Sequence, residues 1–98
     1  MTHSLLIRPE AEEDLRQSFR WYEAQRSGLG KDFLMCVEAG LDAVRENPFQ
    51  FPVLYKEVRR GLVRRFPFAV FYVVQERTVS VLAVLHCRRH PKTWQKRF

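Results

Sequence analysis

Apolar residues recur at helical spacing along the first half of the chain and in β-branched and aromatic runs along the second, and the change of period follows Asn47-Pro48. His3 to Arg8 reads as a short strand. Pro9 then opens a helix, because the first helical position has no use for an N–H. Ala11, Leu15, Phe19 and Tyr22 follow at steps of four, four and three and make one apolar face, which ends at the tight turn Arg26-Ser27-Gly28-Leu29-Gly30. The spacing predicts a second helix over about 31–46, with Leu34, Val37, Leu41 and Val44 as its stripe and Asn47-Pro48 as its stop. Gly40 within it marks a close approach of the first helix.

Past the loop through Phe49, Phe51 and Pro52, three strands are expected, over 55–62, 64–75 and 79–86. Gly61 marks a bulge or turn, and the last two strands form a hairpin around Glu76-Arg77. The fold class is α+β in the order β-α-α-β-β-β, a helical hairpin packed on one face of a mainly antiparallel sheet. Both faces of the last two strands are apolar. Phe68, Val70 and Tyr72 alternate with Ala69, Phe71 and Val73, and Val81, Ala83 and Leu85 alternate with Leu82 and Val84. One helical hairpin covers one face. The other is expected to stay partly open to a protein partner unless the tail or a second chain lies on it.

At 98 residues the chain is read as one domain, residues 1–98. Folding should reduce roughly 17,000 Å² of surface to about 6,000 Å², enough for stability without staples. With 46% hydrophobic and 29% charged residues the composition excludes disorder and collagen-like repetition. Neither the amino end nor the apolar stretch from Phe66 to Val74 has the length of a signal peptide or bilayer-spanning helix, which places the chain in the cytoplasm with no membrane partner. Two cysteines, Cys36 and Cys87, are too few for a disulfide framework and are read as free structural thiols.

The charge changes the picture. Residues 1–50 carry a net −3 and residues 51–98 a net +9, within a total of +6. The basic half must face something anionic, nucleic acid, an acidic protein segment or a membrane surface, and a sheet-rich basic region without an amphipathic basic helix disfavours the membrane. Lys56, Arg59, Arg60, Arg64 and Arg65 lie on or beside the first strand pair, and Arg88, Arg89 and Lys92 follow the last strand; an antiparallel sheet can bring the two groups together. Their forked guanidiniums bind phosphate or carboxylate bidentately, or form a solvated edge that discourages strand pairing.

His86-Cys87-Arg88-Arg89-His90-Pro91 sets two imidazoles and a thiol at a strand end. A closed zinc site wants four ligands, and only Cys36 and His3 remain to complete one, so no metal is expected. His86 and His90 are either general acid–base groups beside the arginines or rings satisfied by backbone. Trp94, in the basic carboxyl end, either stacks on a target or packs back onto the open sheet face. No phosphate-binding loop, dinucleotide fingerprint or Ser-centred nucleophile motif is present, and no cofactor is expected.

Three stretches in this order carry a family resemblance: Pro9-Glu10-Ala11-Glu12-Glu13-Asp14-Leu15; Gly61 with Arg64-Arg65-Phe66-Pro67-Phe68-Ala69-Val70-Phe71-Tyr72; and Val81 to Pro91. The chain resembles toxins of type II toxin–antitoxin systems, the RelE/ParE superfamily, and more closely its ParE-like branch. The resemblance implies a small basic toxin neutralised by a cognate antitoxin, with Phe71, Val73, Leu82 and Val84 as the antitoxin-binding face. It implies a target- or anion-binding surface of Arg59, Arg60, Arg64, Arg65, Arg88, Arg89, Lys92 and Trp94. ParE-like members act on DNA gyrase, the expected target here. The alternative is the mRNA cleavage that RelE-like members perform on the ribosome. Arg65 and Arg88 would then hold phosphate and His86 or His90 would replace the carboxyl-terminal tyrosine of that branch, which this chain lacks. A third reading is a non-toxic module that joins its antitoxin, and only through it reaches operator DNA.

Overall fold

A computed structural model describes residues 3–98. Strand β1 (Ser4–Ile7) passes through a single extended residue, Arg8, into helix α1 (Pro9–Gln25), whose first turn carries Glu10 and Glu12 where the unpaired N–H groups concentrate positive charge. The turn out of α1 uses Gly28 at φ 89°, a left-handed conformation that glycine adopts without penalty. Helix α2 (Leu29–Glu46) receives no side-chain cap from Gly28. Glu23 of α1 supplies it, accepting hydrogen bonds from the N–H groups of Gly28 and Gly30 at 3.0 Å each. The two helices meet most tightly there: a Cβ on Gly30 would lie 2.8 Å from the Phe19 ring. At Gly40, where the close approach was expected, a Cβ would meet nothing nearer than Val63 at 3.8 Å.

The buried stripe of α2 runs through Phe33, Val37, Leu41 and Val44, and Leu34 is exposed instead. Phe33 takes the inner position because it meets the rings of Tyr22, Phe66 and Phe68. After α2, a single 3₁₀ turn (Pro48–Gln50) leads into four strands, one more than expected. Lys56, at φ 53°, reverses the chain inside the segment read as one strand and splits it into β2 (Val53–Tyr55) and β3 (Val58–Leu62). Residues 63–67 form a loop, followed by β4 (Phe68–Gln75) and β5 (Thr78–His86). The sheet order is β1-β5-β4-β3-β2, antiparallel throughout except for β1, which runs parallel to β5. This is the expected helical hairpin on a mostly antiparallel sheet.

The core is two-sided. Between helices and sheet lie Ala11, Phe33, Val37 and Val44, packed against Phe68, Val70 and Tyr72. On β5 the alternation breaks, because Tyr72 pairs with Val81 and Phe71 with Ala83, leaving Leu82 as a bulge. Val81 and Val84 therefore share the helical face, and Leu82 and Leu85 turn to the other.

That other face is closed by the chain itself. A short helix, α3 (Lys92–Gln95), lays Trp94 against Phe71 with ring centroids 4.7 Å apart and planes at 18°, and edge-on to Tyr55 at 5.8 Å. Trp94, Phe71, Val73 and Leu82 are each under 5% exposed, and Val84 lies on the helical side. The expectation of an open face formed by Phe71, Val73, Leu82 and Val84 is thus corrected: the tail seals three of these residues, and the bulge turns the fourth to the opposite side. Among the described residues no helix is long and apolar enough to cross a membrane.

Candidate functional site at the basic end of the sheet

The antiparallel pairing of β4 with β5 sets Phe68 opposite His86, so the loop before β4 and the loop after β5 leave the sheet side by side. Backbone bonds fix both. Cys87 N–H donates to the Pro67 carbonyl at 2.8 Å, Val63 N–H to Phe68 at 2.9 Å, and Arg89 N–H to His86 at 2.9 Å. Arg64 and Arg65 stand on the first loop, Arg65 in the left-handed region at φ 70°, and Arg88 and Arg89 on the second. All four are exposed, and none pairs with a carboxylate among the described residues. No carboxylate among the described residues offsets their charge, which makes this end a ready acceptor for phosphates or carboxylates. Lys92 is exposed at the start of α3.

Other predicted members belong to the architecture. Arg59 donates from Nη1 to the Phe51 carbonyl at 2.6 Å and lies over the Phe49 ring at 5.1 Å, tying down the loop before β2. Arg60 is half-buried on β3 opposite Phe71. Trp94 is 4% exposed, so its stacking partner is Phe71 and it presents no free face to a target.

The histidines are held by their own loop. His86 Nδ1 accepts the Arg88 N–H at 3.0 Å, and His90 Nδ1 accepts the Lys92 N–H at 3.1 Å. A neutral imidazole bonded in this way carries its proton on Nε2, so the outer nitrogen is a donor and has no lone pair with which to take a proton from a substrate. The three tyrosines are placed elsewhere. Tyr72 is buried and donates to the Pro48 carbonyl at 2.6 Å, Tyr22 packs among Phe33, Phe66 and Phe68, and Tyr55 packs on Trp94. Among the described residues no cluster of His, Cys, Asp and Glu is arranged to hold a metal ion, and both cysteines are free.

Two surface features escaped the sequence reading. Trp21 is 60% exposed on α1 and lines a shallow cleft with Pro67, Phe68 and His86, beside the arginine loops. A larger open groove of about 840 Å³ runs between α2 and β3, with Gly40 and Gly61 among its lining and Arg64 and Arg65 at one end. The signal for the first was a tryptophan off the apolar stripe. For the second it was the run of small residues at Ala39, Gly40 and Ala43 beside Met35.

With this geometry established, the chain can be compared with known proteins. A family model described as "ParE toxin of type II toxin-antitoxin system, parDE" matches residues 5–91, and the chain belongs to that family, within the RelE/ParE superfamily. Among solved structures, a chain of the chromosomal ParDE TA system from P. aeruginosa superposes with a TM-score of 0.78 at 17% identity, covering 87% of this chain and 96% of that one. That likeness is one of fold. No curated sequence gives a significant match.

Proposed function

We propose that this chain is a cytoplasmic growth-arresting toxin that acts by binding DNA gyrase through the arginine loops and is held silent by a cognate antitoxin. The observation that carries the reading is the pairing of four unneutralised arginines with an absence, among the described residues, of any proton acceptor held toward them. Cleavage of RNA needs a base for the ribose hydroxyl and an acid for the leaving oxygen. The imidazoles here present donors, and the phenols lie in or against the core. A surface that attracts anions without an acid–base pair is suited to binding and blocking.

The test is a supercoiling assay with purified gyrase beside a translation assay with intact ribosomes. Inhibition of gyrase with translation intact is expected. Cuts in mRNA on the ribosome would replace this reading with the RelE-like one, and no growth arrest on expression would leave a regulatory module.

A further inference from the structure

The two tryptophans have opposite surroundings. Trp94 is sealed on Phe71, whereas Trp21 is 60% exposed on α1 and meets the Tyr22 ring edge-on, with centroids 5.0 Å apart. Leu15 and Tyr22 pack into the core from the same helix, so Trp21 lies off the face that holds α1 in place. We propose that Trp21 and the cleft beside it anchor the target-binding surface, the cleft taking one aromatic or branched apolar side chain from an acidic segment of the target protein; this rests on the toxin reading above.

The cleft encloses about 530 Å³, room for a single large side chain. Trp21 and Pro67 are its exposed flanks, and Phe68, 7% exposed, lies between them with the half-buried Tyr22 and His86. Pro67 and His86 are also the roots of the two arginine loops, next but one to Arg65 and Arg88. The bond from Cys87 N–H to the Pro67 carbonyl at 2.8 Å holds these roots together. Apolar cleft and basic cluster are therefore one continuous surface, an aromatic anchor point rimmed by arginines. His86 adds a donor, because its Nδ1 is taken by the Arg88 N–H and Nε2–H is left for a carboxylate or carbonyl of the occupant.

Charge names the class of occupant. On the α1 side the cleft is lined by Gln17 and Ser18, both neutral, and Gln17 donates to Glu13 at 3.2 Å on the preceding turn. Arg16 and Arg20 line no part of it and pair with Glu13. Cations thus stand on one side of the cleft, the loop side. A single-stranded nucleic acid stacked on Trp21 would need a cationic track for its phosphates on both sides of the ring. A protein segment with one apolar anchor and its carboxylates to one side fits the asymmetry. A second copy of this chain does not, since it brings a net charge of +6 to a basic rim.

The experiment measures association and dissociation rates of the full chain on purified gyrase, treated with nuclease, at low and high salt. Trp21→Ala should weaken binding about 30-fold or more, through faster dissociation and equally at both salt concentrations, the loss expected of a central apolar anchor. Arg88→Glu should instead slow association, and more so at low salt. Gln17→Glu should weaken binding and Gln17→Lys should not. Melting temperatures within about 3 °C of the native chain would show that these exposed positions leave the fold intact. Affinity of Trp21→Ala within threefold of the native chain overturns the proposal, as does binding that nuclease abolishes or that transfers to a single-stranded oligonucleotide and is lost with Trp21. Native chain that does not bind gyrase overturns the gyrase reading alone. The same variants are then scored by growth arrest, where a potency loss of at least about tenfold for Trp21→Ala sustains the cleft assignment and unchanged potency overturns it.

Discussion

Arg97, the penultimate residue, closes a bidentate ion pair on Asp14 near the start of α1, with Nη1 and Nη2 at 2.7 and 3.2 Å from the two carboxylate oxygens. The pair also stands in for a missing strand. β1 pairs with β5 only as far as Val81, and beyond it the edge of β5 is unaccompanied. Asp14 accepts the Val84 N–H at 3.0 Å and Arg97 donates to the Leu82 carbonyl at 3.1 Å, so two side chains satisfy the strand edge at the bulge while fastening the tail.

Removing either partner should destabilise the chain strongly. With side chains only 20% and 10% exposed, Arg97→Ala or Asp14→Ala strands a charge and backbone groups in a poorly solvated place, at a cost of about 2–4 kcal/mol. Urea denaturation of both single variants and the double variant should give a loss well short of additive. Additive losses would mean that the two residues act independently.

The tail predicts a second effect. Trp94→Ala removes the cover from Phe71 and should cost about 3–5 kcal/mol, with a rise in binding of a hydrophobic dye as the second sheet face opens. A loss below about 1 kcal/mol would show that the face is closed without it.

Much of this architecture was legible because it is periodic. The α1 stripe and the two faces of β4 follow spacings of 3.6 and 2, which a sequence displays directly. On β5 the same reasoning misplaced Val84, since the Leu82 bulge shifts the alternation and its supports, Asp14 and Arg97, come from 70 and 15 residues away. No local signal announces such a contact. The arginine end was legible for a similar reason to the stripes, because hairpin pairing forces residues flanking Phe68 and His86 together. The fates of Arg59 and Trp94 were not, because each depends on a particular acceptor or ring, the Phe51 carbonyl and Phe71, that composition does not reveal.

Glycine substitutions separate the observed helix contact from the expected one. Gly30→Ala forces a methyl against the Phe19 ring and the Glu23 carboxylate, and should destabilise by about 1–3 kcal/mol. Gly40→Ala makes only an ordinary van der Waals contact with Val63 at 3.8 Å and should be neutral or stabilising by about 0.5–1 kcal/mol through lower backbone entropy. Melting temperatures that move the same way in both variants would contradict the placement of the contact.

Tyr72 gives the fold an alkaline limit. Burial pushes its phenol pKa up to about 12 from 10.0, against the pull of Arg59. The unfolded chain ionises first, so this contribution to stability is whole below pH 10.0 and disappears as pH rises toward about 12, about 2–3 kcal/mol in all. Tyr72→Phe should remove that part of the alkaline decline. It should also lower stability near neutrality by about 1 kcal/mol, through loss of the bond to Pro48. Urea midpoints measured across the alkaline range for both proteins would show the two curves converging and then crossing, and parallel curves would refute the assignment.

The arginine loops are tested by comparing charges of equal sign in different places. Arg16 and Arg20 are exposed on α1, outside the two arginine loops, and pair with Glu13 at 3.0 and 3.7 Å, an arrangement that makes little net contribution to stability. Reversing them to Glu should leave growth arrest nearly intact. Arg88→Glu or Arg89→Glu places a carboxylate where an anionic partner must approach, and should raise the toxin concentration needed for half-inhibition at least about tenfold. Thermal melts should be alike for all four variants, since each side chain is at the surface. Equal loss of potency at both places would remove the working surface from this end of the sheet.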